Sequence, residues 1–315
     1  MVARKTRRKK LIPRRMDRRA WILVVGAIAA AVLIISLMYR GSVFAYGAGR
    51  FNFVVADRSG DIYFASLDLV ERVATVVELP ESLHIRSRSV GEYRVGSLVG
   101  LSEYAPEKGD FVRRKIQGFF RVPVSGYLIL EKDIEKEATG REFVGKVLAL
   151  SMLGATETNL SIFDRARLGY GLLRSSYRKE DLDSLVKAGV LVEKQGGGFA
   201  YSPPRLMAYV DGKFFDWLVG QERKTVAIVD VSGGKGLAQD VADFILNMGA
   251  DVVLVKEGPG ESKSKIVVGS EDDLRSESVR SIGRLLGIEL VEVGQMAEYR
   301  AEIAVFVGSD LESMF

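Results

Sequence analysis

The sequence predicts an α/β protein: a single N-terminal transmembrane helix followed by two extracytoplasmic α/β domains. Three observations carry that prediction. Residues 21–38 form an unbroken apolar run, WILVVGAIAAAVLIISLM. Ten basic side chains lie in residues 1–20, immediately before it. Downstream, short β-branched or aromatic runs alternate with stretches of helical periodicity, the pattern of α/β units.

The apolar run comes first. At 1.5 Å per residue it extends about 27 Å, close to the hydrocarbon thickness of a bilayer. Its charges orient it. Arg4, Lys5, Arg7, Arg8, Lys9, Lys10, Arg14, Arg15, Arg18 and Arg19 precede it, while Arg40 and Arg50 follow within twelve residues. The positive-inside rule then expects a cytoplasmic N-terminus and an exterior placement for everything after residue 38. A cleaved signal peptide is the competing reading, with Val43-Phe44-Ala45 as its cleavage site; the length of the run favours an uncleaved anchor. The expected organisation is a basic cytoplasmic tail at 1–20, a span at 21–38, a linker at 39–50 and domains at 51–215 and 222–315.

Charge distribution also limits function. The chain has 315 residues, a net charge of +4 and a pI of about 9.1. Residues 1–20 alone carry +9, which leaves −5 on the remaining 295. The basic pI belongs to the tail, so a broadly basic nucleic-acid surface is excluded as its cause. The tail reads as a topology signal with contact to anionic membrane lipids. Cysteine is absent, which removes disulfides, thiolate catalysis and cysteine metal sites.

In the first domain, residues 51–56, 61–68 and 73–79 read as strands, the last stopped by Pro80, and 122–131 as another. Phe143, Val147 and Leu150 space as one helical face, Leu182, Leu185 and Val186 as a second. Gly196-Gly197-Gly198 reads as a turn, with a hairpin one option. In the second domain, 225–231 is a buried strand, and Leu237, Ala238, Val241, Ala242, Ile245 and Leu246 mark a helix closed by Gly249. Strands follow at 251–255 and 265–268. Ser270, three before Asp273, reads as the start of a helix that Gly287 stops. Strands at 289–293 and 303–307 complete the order β-α-β-β-α-β-β.

Several groups invite a chemical reading. SGGKG at 232–236 sits between strand and helix, where backbone amides hold anions, but it matches neither nucleotide-binding glycine pattern and reads first as a tight turn. His84 is the single histidine, too few for a zinc cluster, and no nucleophile motif surrounds it. Asp57, Arg58 and Asp61 lie beside the first two strands. They are either a solvated turn or a site in which two carboxylates hold Mg²⁺ beside an arginine that faces pyrophosphate. Arg113-Arg114-Lys115 is similarly either a solvated patch or a phosphate-facing surface.

From Thr225 onward, TVAIVDVSGGKGLAQDVADFILNMGADVV resembles the C-terminal domain found behind LytR-CpsA-Psr proteins, with Gly236-Leu237-Ala238 matching its Gly-Leu-Ala element and Val305–Asp310 its terminal strand. Phe51–Val55, Arg58, Asp61, Leu79-Pro80 and Thr158–Ser161 resemble the catalytic core of the same family. The resemblance implies transfer of glycopolymer from a polyprenyl pyrophosphate carrier to the cell wall, with arginines on the pyrophosphate and an aspartate-bound Mg²⁺. Arg58 and Asp61 are the implied catalytic residues, and Asp57 and Asp61 the implied metal ligands. The sequence departs from the pattern after Pro80: Glu81 and Ser82 stand where the family has Arg-Asp, and a carboxylate repels pyrophosphate. Gly96 and Ser97 stand near its Asn-Ala element. Arg86, Arg88 and Arg94 are potential substitutes.

The expectation is therefore a bacterial cell-envelope protein, anchored by one span, whose core serves a non-catalytic binding, assembly or regulatory role. Its alternative is the Mg²⁺-dependent transferase. Expected partners are cytoplasmic membrane lipids and a polyprenyl-linked glycan or cell-wall polymer, and no nucleic acid.

Overall fold

A computed structural model describes residues 49–133, 141–152, 156–211, 213–214, 217–233 and 236–315, with isolated positions 21, 25, 26, 29, 33, 36 and 42. The chain divides into two compact units, Met1–Gly41 and Ser42–Phe315.

The transmembrane helix expected at 21–38 is corrected here. Among the described residues, no helix is long and apolar enough to cross a membrane. Positions 21, 25, 26, 29, 33 and 36 are helical. The rest of 21–38, and the whole basic tail 1–20, lie outside the described residues. The single-pass topology, the membrane localisation and the exterior placement of residues after 38 all rested on that span and are withdrawn with it. The α/β class stands for the second unit.

That unit opens with a meander. Strands β1 (Arg50–Asp57), β2 (Ile62–Asp68) and β3 (Val73–Leu79) pair antiparallel through two tight turns. Pro80 ends β3, since it has no N–H for a ladder. A short ribbon follows, β4 (His84–Ser87) against β5 (Gly91–Arg94). Next come helices α1 (Leu98–Ser102) and α2 (Gly109–Phe120). The expected strand at 122–131 is confined to β6 (Gly126–Leu130), and it runs parallel to β1. Then follow α3 (Arg141–Met152), β7 (Thr156–Thr158), α4 (Ile162–Arg174) and β8 (Ser176–Glu180). Ser161 and Asp164 form a reciprocal capping box at the start of α4. The sheet order is β7-β6-β1-β2-β3-β8, with β8 parallel to β3.

The sheet is buried on both faces, which explains why its strands read as continuous apolar runs rather than alternations. Val54, Ala56, Ile62 and Phe64 face α2, and Phe64 stacks on Phe120 with ring centroids 4.5 Å apart. Phe51, Phe53, Val55 and Tyr63 face α3 and α4. After β8, α5 (Leu182–Lys187) leads to the hairpin β9 (Leu191–Glu193) and β10 (Phe199–Tyr201), whose turn holds the three glycines at positive φ. Helices α6 (Pro203–Val210) and α7 (Trp217–Glu222) lead to the second sheet.

The remaining elements run in the expected order: β11 (Thr225–Asp230), α8 (Leu237–Met248), β12 (Asp251–Glu257), β13 (Lys265–Val268), α9 (Glu277–Leu286), β14 (Val291–Val293) and β15 (Ile303–Val307). They build a sheet of order β12-β11-β15-β13-β14. Gly249 closes α8 at φ 109°, with its N–H on the Ile245 and Leu246 carbonyls. One boundary differs from expectation. Ser270 donates to the Asp273 carboxylate at 2.7 Å beside a 3-10 turn at Asp273–Arg275, and α9 starts at Glu277 with the Ser276 hydroxyl accepting from the Val279 N–H. The Ser-x-x-Asp signal recurs within six residues as Ser-x-x-Val, and only the second stands at the apolar stripe Val279, Ile282, Leu285, Leu286.

Candidate functional site at the carboxyl ends of two parallel strands

Strands β1 and β6 run parallel, and both end at the same edge of the sheet, at Asp57 and Leu130. The carboxyl ends of parallel strands are where ligands of α/β sheets usually bind. A small cavity of about 160 Å³ opens there, lined by Arg58, Ser102, Glu103, Glu131 and Glu157, with Val99 and Ile129 at its apolar base.

The turn that leads into it is tightly specified. Asp57 is fully buried, and its Oδ1 accepts from the Ser59 hydroxyl at 2.5 Å and from the Asp61 N–H at 3.0 Å. Gly60 completes the reversal at φ 99°, and a Cβ there would lie 2.4 Å from the Gly96 carbonyl oxygen. Gly96 in turn lies against Glu81, whose carbonyl accepts its N–H at 3.0 Å. The β1–β2 turn, the loop after β3 and the 3-10 turn before α1 therefore converge by direct backbone approach.

The two carboxylates and the arginine divide between the faces of the sheet. Asp57 continues the Phe51-Phe53-Val55 row, and Asp61 is 8% exposed. Both act on Tyr63, whose phenol is held above its ordinary value first by burial and then by the charges of Glu78, Asp61 and Asp57. Arg58 sits in the turn itself, exposed, with its guanidinium 3.9 Å from the Glu131 carboxylate. That long, exposed pair contributes little energy and leaves the guanidinium available to an incoming anion.

Glu81, standing where the family motif has arginine, is exposed beside Gly96. Its potential substitutes lie elsewhere. Arg86 and Arg88 line a different cavity, and Arg94 is exposed on β5. The basic run is not a phosphate-facing patch. Arg113 and Arg114 both pair with Asp110, one helical turn back, and Lys115 is buried at 3% exposure. Burial pushes the Asp110 carboxyl up, but the hydrogen bonds and charges of Arg113 and Arg114 win and hold it below its ordinary value. His84 sits on β4 with Nδ1 3.0 Å from Glu92. Of SGGKG, Ser232 bonds Asp230 at 2.7 Å and Gly236 precedes α8, while Gly234 and Lys235 lie outside the described residues. Glu103, Glu131 and Glu157 were missed in the sequence, because each comes from a different element and no spacing links them.

Mg²⁺ typically takes one or two carboxylates from a protein and completes its octahedron with water and phosphate oxygens. Asp57 and Asp61 would have to supply that minimal set, although Asp57 is fully buried and neither lines the Arg58 cavity. They fit no fuller one: among the described residues there is no group of three or more His, Cys, Asp or Glu able to hold a metal, and Asp57 has one oxygen committed to the turn.

No protein-family model and no curated protein sequence matches the chain. Several solved structures do. B. subtilis TagT is 10% identical, with a TM-score of 0.38, over 52% of this chain and 89% of that one. B. subtilis TagU is 8% identical, with a TM-score of 0.37, over 51% and 93%. The LytR-CPS2A-psr family protein YwtF (TagT), with bound octaprenyl pyrophosphate lipid, is 11% identical, with a TM-score of 0.36, over 52% and 88%. The expectation of a non-catalytic binding, assembly or regulatory role is corrected beside these ligand-bound structures, among them TagT bound to LI-WTA, and it is not kept. Its basis was the lost arginine at Glu81, yet Arg58 still lines a cavity at the carboxyl ends of β1 and β6. The chain resembles the LytR-CpsA-Psr family in its sequence motifs, and solved structures of that family are similar to it.

Proposed function

We propose that this chain is a Mg²⁺-dependent transferase that moves glycopolymer from a polyprenyl pyrophosphate carrier to the cell wall. The observation that carries the reading is the position of Arg58, with Asp57 and Asp61 beneath the same turn, at the carboxyl ends of β1 and β6. A guanidinium presents paired N–H donors to phosphate oxygens, and it stabilises the charge that builds on a leaving phosphate. Asp57 and Asp61 are the residues that would hold Mg²⁺, which would supply further neutralisation of the pyrophosphate. The carboxylates that share the cavity, Glu103, Glu131 and Glu157, are suited to take the proton of an acceptor hydroxyl. Glu131 already lies opposite Arg58, so its carboxylate yields the guanidinium as the anion enters. The rigid Asp57–Asp61 turn keeps the charged groups oriented before substrate arrives, which is where such sites gain most of their effect.

The test is Mg²⁺-dependent transfer or release from a polyprenyl pyrophosphate glycan by the full chain. Arg58→Ala is expected to lower turnover by about 100-fold or more, the usual loss when one charge-stabilising donor is removed. Asp61→Asn is expected to abolish the Mg²⁺ dependence. Turnover that survives both changes in folded protein would overturn the reading.

A further inference from the structure

Helix α4 (Ile162–Arg174) is apolar on two opposite sides. Its inner side carries Leu168 and Leu172, buried against the first sheet with Phe51, Leu67 and Leu128. Its outer side carries Ile162, Ala166, Tyr170 and Leu173, all exposed. These positions recur at steps of four, four and three, so they form one stripe along a helix about 20 Å long. Surface helices ordinarily turn a charged or polar face outward. Among the described residues of the second unit, the large apolar side chains more than 60% exposed are Tyr104, Ile162 and Leu173, at 89, 63 and 69%. Two of the three stand at opposite ends of this stripe, which sets it apart from singly scattered exposure.

The charges that border the stripe have one sign. At a helical turn of about 100° per residue, Arg165 lies along one border and Arg167 and Arg174 along the other. Arg174 is held beside the stripe by Tyr170, its guanidinium 4.6 Å from the ring centroid. The single acid of the helix, Asp164, points inward. It is 1% exposed, and it accepts the Ser161 N–H at 3.1 Å and the Ser161 hydroxyl at 2.7 Å. Described acids on the elements beside α4 are balanced. Glu142 pairs with Lys146 on α3, Asp68 pairs with Arg50, and Glu71 stands next to Arg72 in the β2–β3 turn.

The geometry points to α4 as a docking surface for an anionic lipid bilayer. The helix lies along the surface, with Ile162, Ala166, Tyr170 and Leu173 at the acyl boundary and the arginines level with the phosphates. Tyrosine suits that depth, since its ring is apolar and its hydroxyl stays wet. A uniform negative surface matches arginine on both borders. A second copy of the chain does not, because a two-fold contact of α4 with α4 sets these arginines against one another. Docking of this kind rests on a bilayer and requires no transmembrane helix. It does not depend on the transfer reading, and α4 contributes no residue to the Arg58 cavity.

The chain has no cysteine, so one polarity-sensitive fluorophore can be placed at a single introduced cysteine in the full chain. Leu173→Cys puts it on the stripe, and Val192→Cys puts it at an exposed position of β9 as a control. With phosphatidylglycerol vesicles, the label at 173 is expected to brighten and to be quenched by nitroxide-bearing acyl chains, while the label at 192 stays in water. Because the readout is local, attachment through another part of the chain does not imitate it. Phosphatidylcholine vesicles or high salt are expected to weaken the response by about tenfold or more. Added to Leu173→Cys, Ile162→Ser and Arg174→Glu, both at exposed positions, are each expected to weaken it by about tenfold. Arg58→Ala is expected to leave it unchanged. Four results would overturn the surface: a label at 173 that remains in water, equal responses at 173 and 192, equal responses to the two lipids, or lipid-free self-association of the chain that Leu173→Ser abolishes.

Discussion

The two ends of helix α2 support pockets built on opposite principles. At its start, the Arg58 cavity is shaped by backbone: Gly60 against the Gly96 carbonyl, Gly96 against Glu81, and an aspartate tying its own turn. At its end, a larger cavity of about 630 Å³ is walled by long charged side chains, Arg88 and Arg121 reaching over to Asp240 and Asp243 on α8. Backbone contact is rigid and tolerates no added atom. Side-chain ion pairs are adjustable, partly solvated and sensitive to salt. The first kind of construction holds a few groups in one geometry. The second lets its groups shift.

The largest effect is expected at the rigid end. Gly60→Ala sets a Cβ 2.4 Å from a carbonyl oxygen in a left-handed conformation, and it should cost about 2–4 kcal/mol in urea unfolding. A loss below about 0.5 kcal/mol would show that the three segments are not held as tightly as the contrast requires.

A smaller effect is expected from Asp240→Asn, which leaves Arg88 and Arg121 without their shared carboxylate. The pairs are about one-sixth exposed on the aspartate side (15%) and more so on the arginines. Screening limits the loss to about 1–2 kcal/mol, larger at low salt than at high salt. An equal loss at both salt concentrations would remove the electrostatic half of the comparison.

A pH dependence is expected at the same end. Lys115 Nζ is buried and donates to the hydroxyls of Ser87 and Ser89 and to the Ser313 carbonyl, each at 2.7 Å. Burial, helped by the nearby charge of Arg114, brings its pKa down from 10.5 to about 8. Below pH 8 both folded and unfolded chains are protonated there, and the burial penalty is complete. Between about 8 and 10.5 the unfolded chain holds a proton that the folded one has released, so stability rises with pH across that window. The drop from 10.5 to about 8 corresponds to a rise of up to about 3 kcal/mol, which should vanish in Lys115→Met. A rise that persists in the variant would assign it to another group.

Legibility differed between the regions for a physical reason. In residues 225–307, strands and helices came out of the sequence in the right order because each buries one stripe or one short run, and Gly249 and Gly287 mark the ends. The Asp57-Arg58-Ser-Gly-Asp61 turn was visible for a similar reason, since its groups are neighbours in sequence. The glutamates around Arg58 were not visible. Glu103 follows α1, Glu131 follows β6 and Glu157 lies in β7, and only the sheet brings them together. The membrane span failed differently. An apolar run of sufficient length is a statement about composition, and among the described residues no helix meets the requirement for crossing a membrane.

By itself, the sequence determined local matters: where strands and helices form, where glycine and proline end them, and which charges sit side by side in a turn. These depend on propensities and spacings of a few residues. Tertiary structure alone decided which distant charges share a cavity. Arg121 and Arg88 meet Asp240 across 119 and 152 residues of chain. No periodicity records such a meeting, because it follows from how two sheets pack their helices, and packing is settled by the whole core at once.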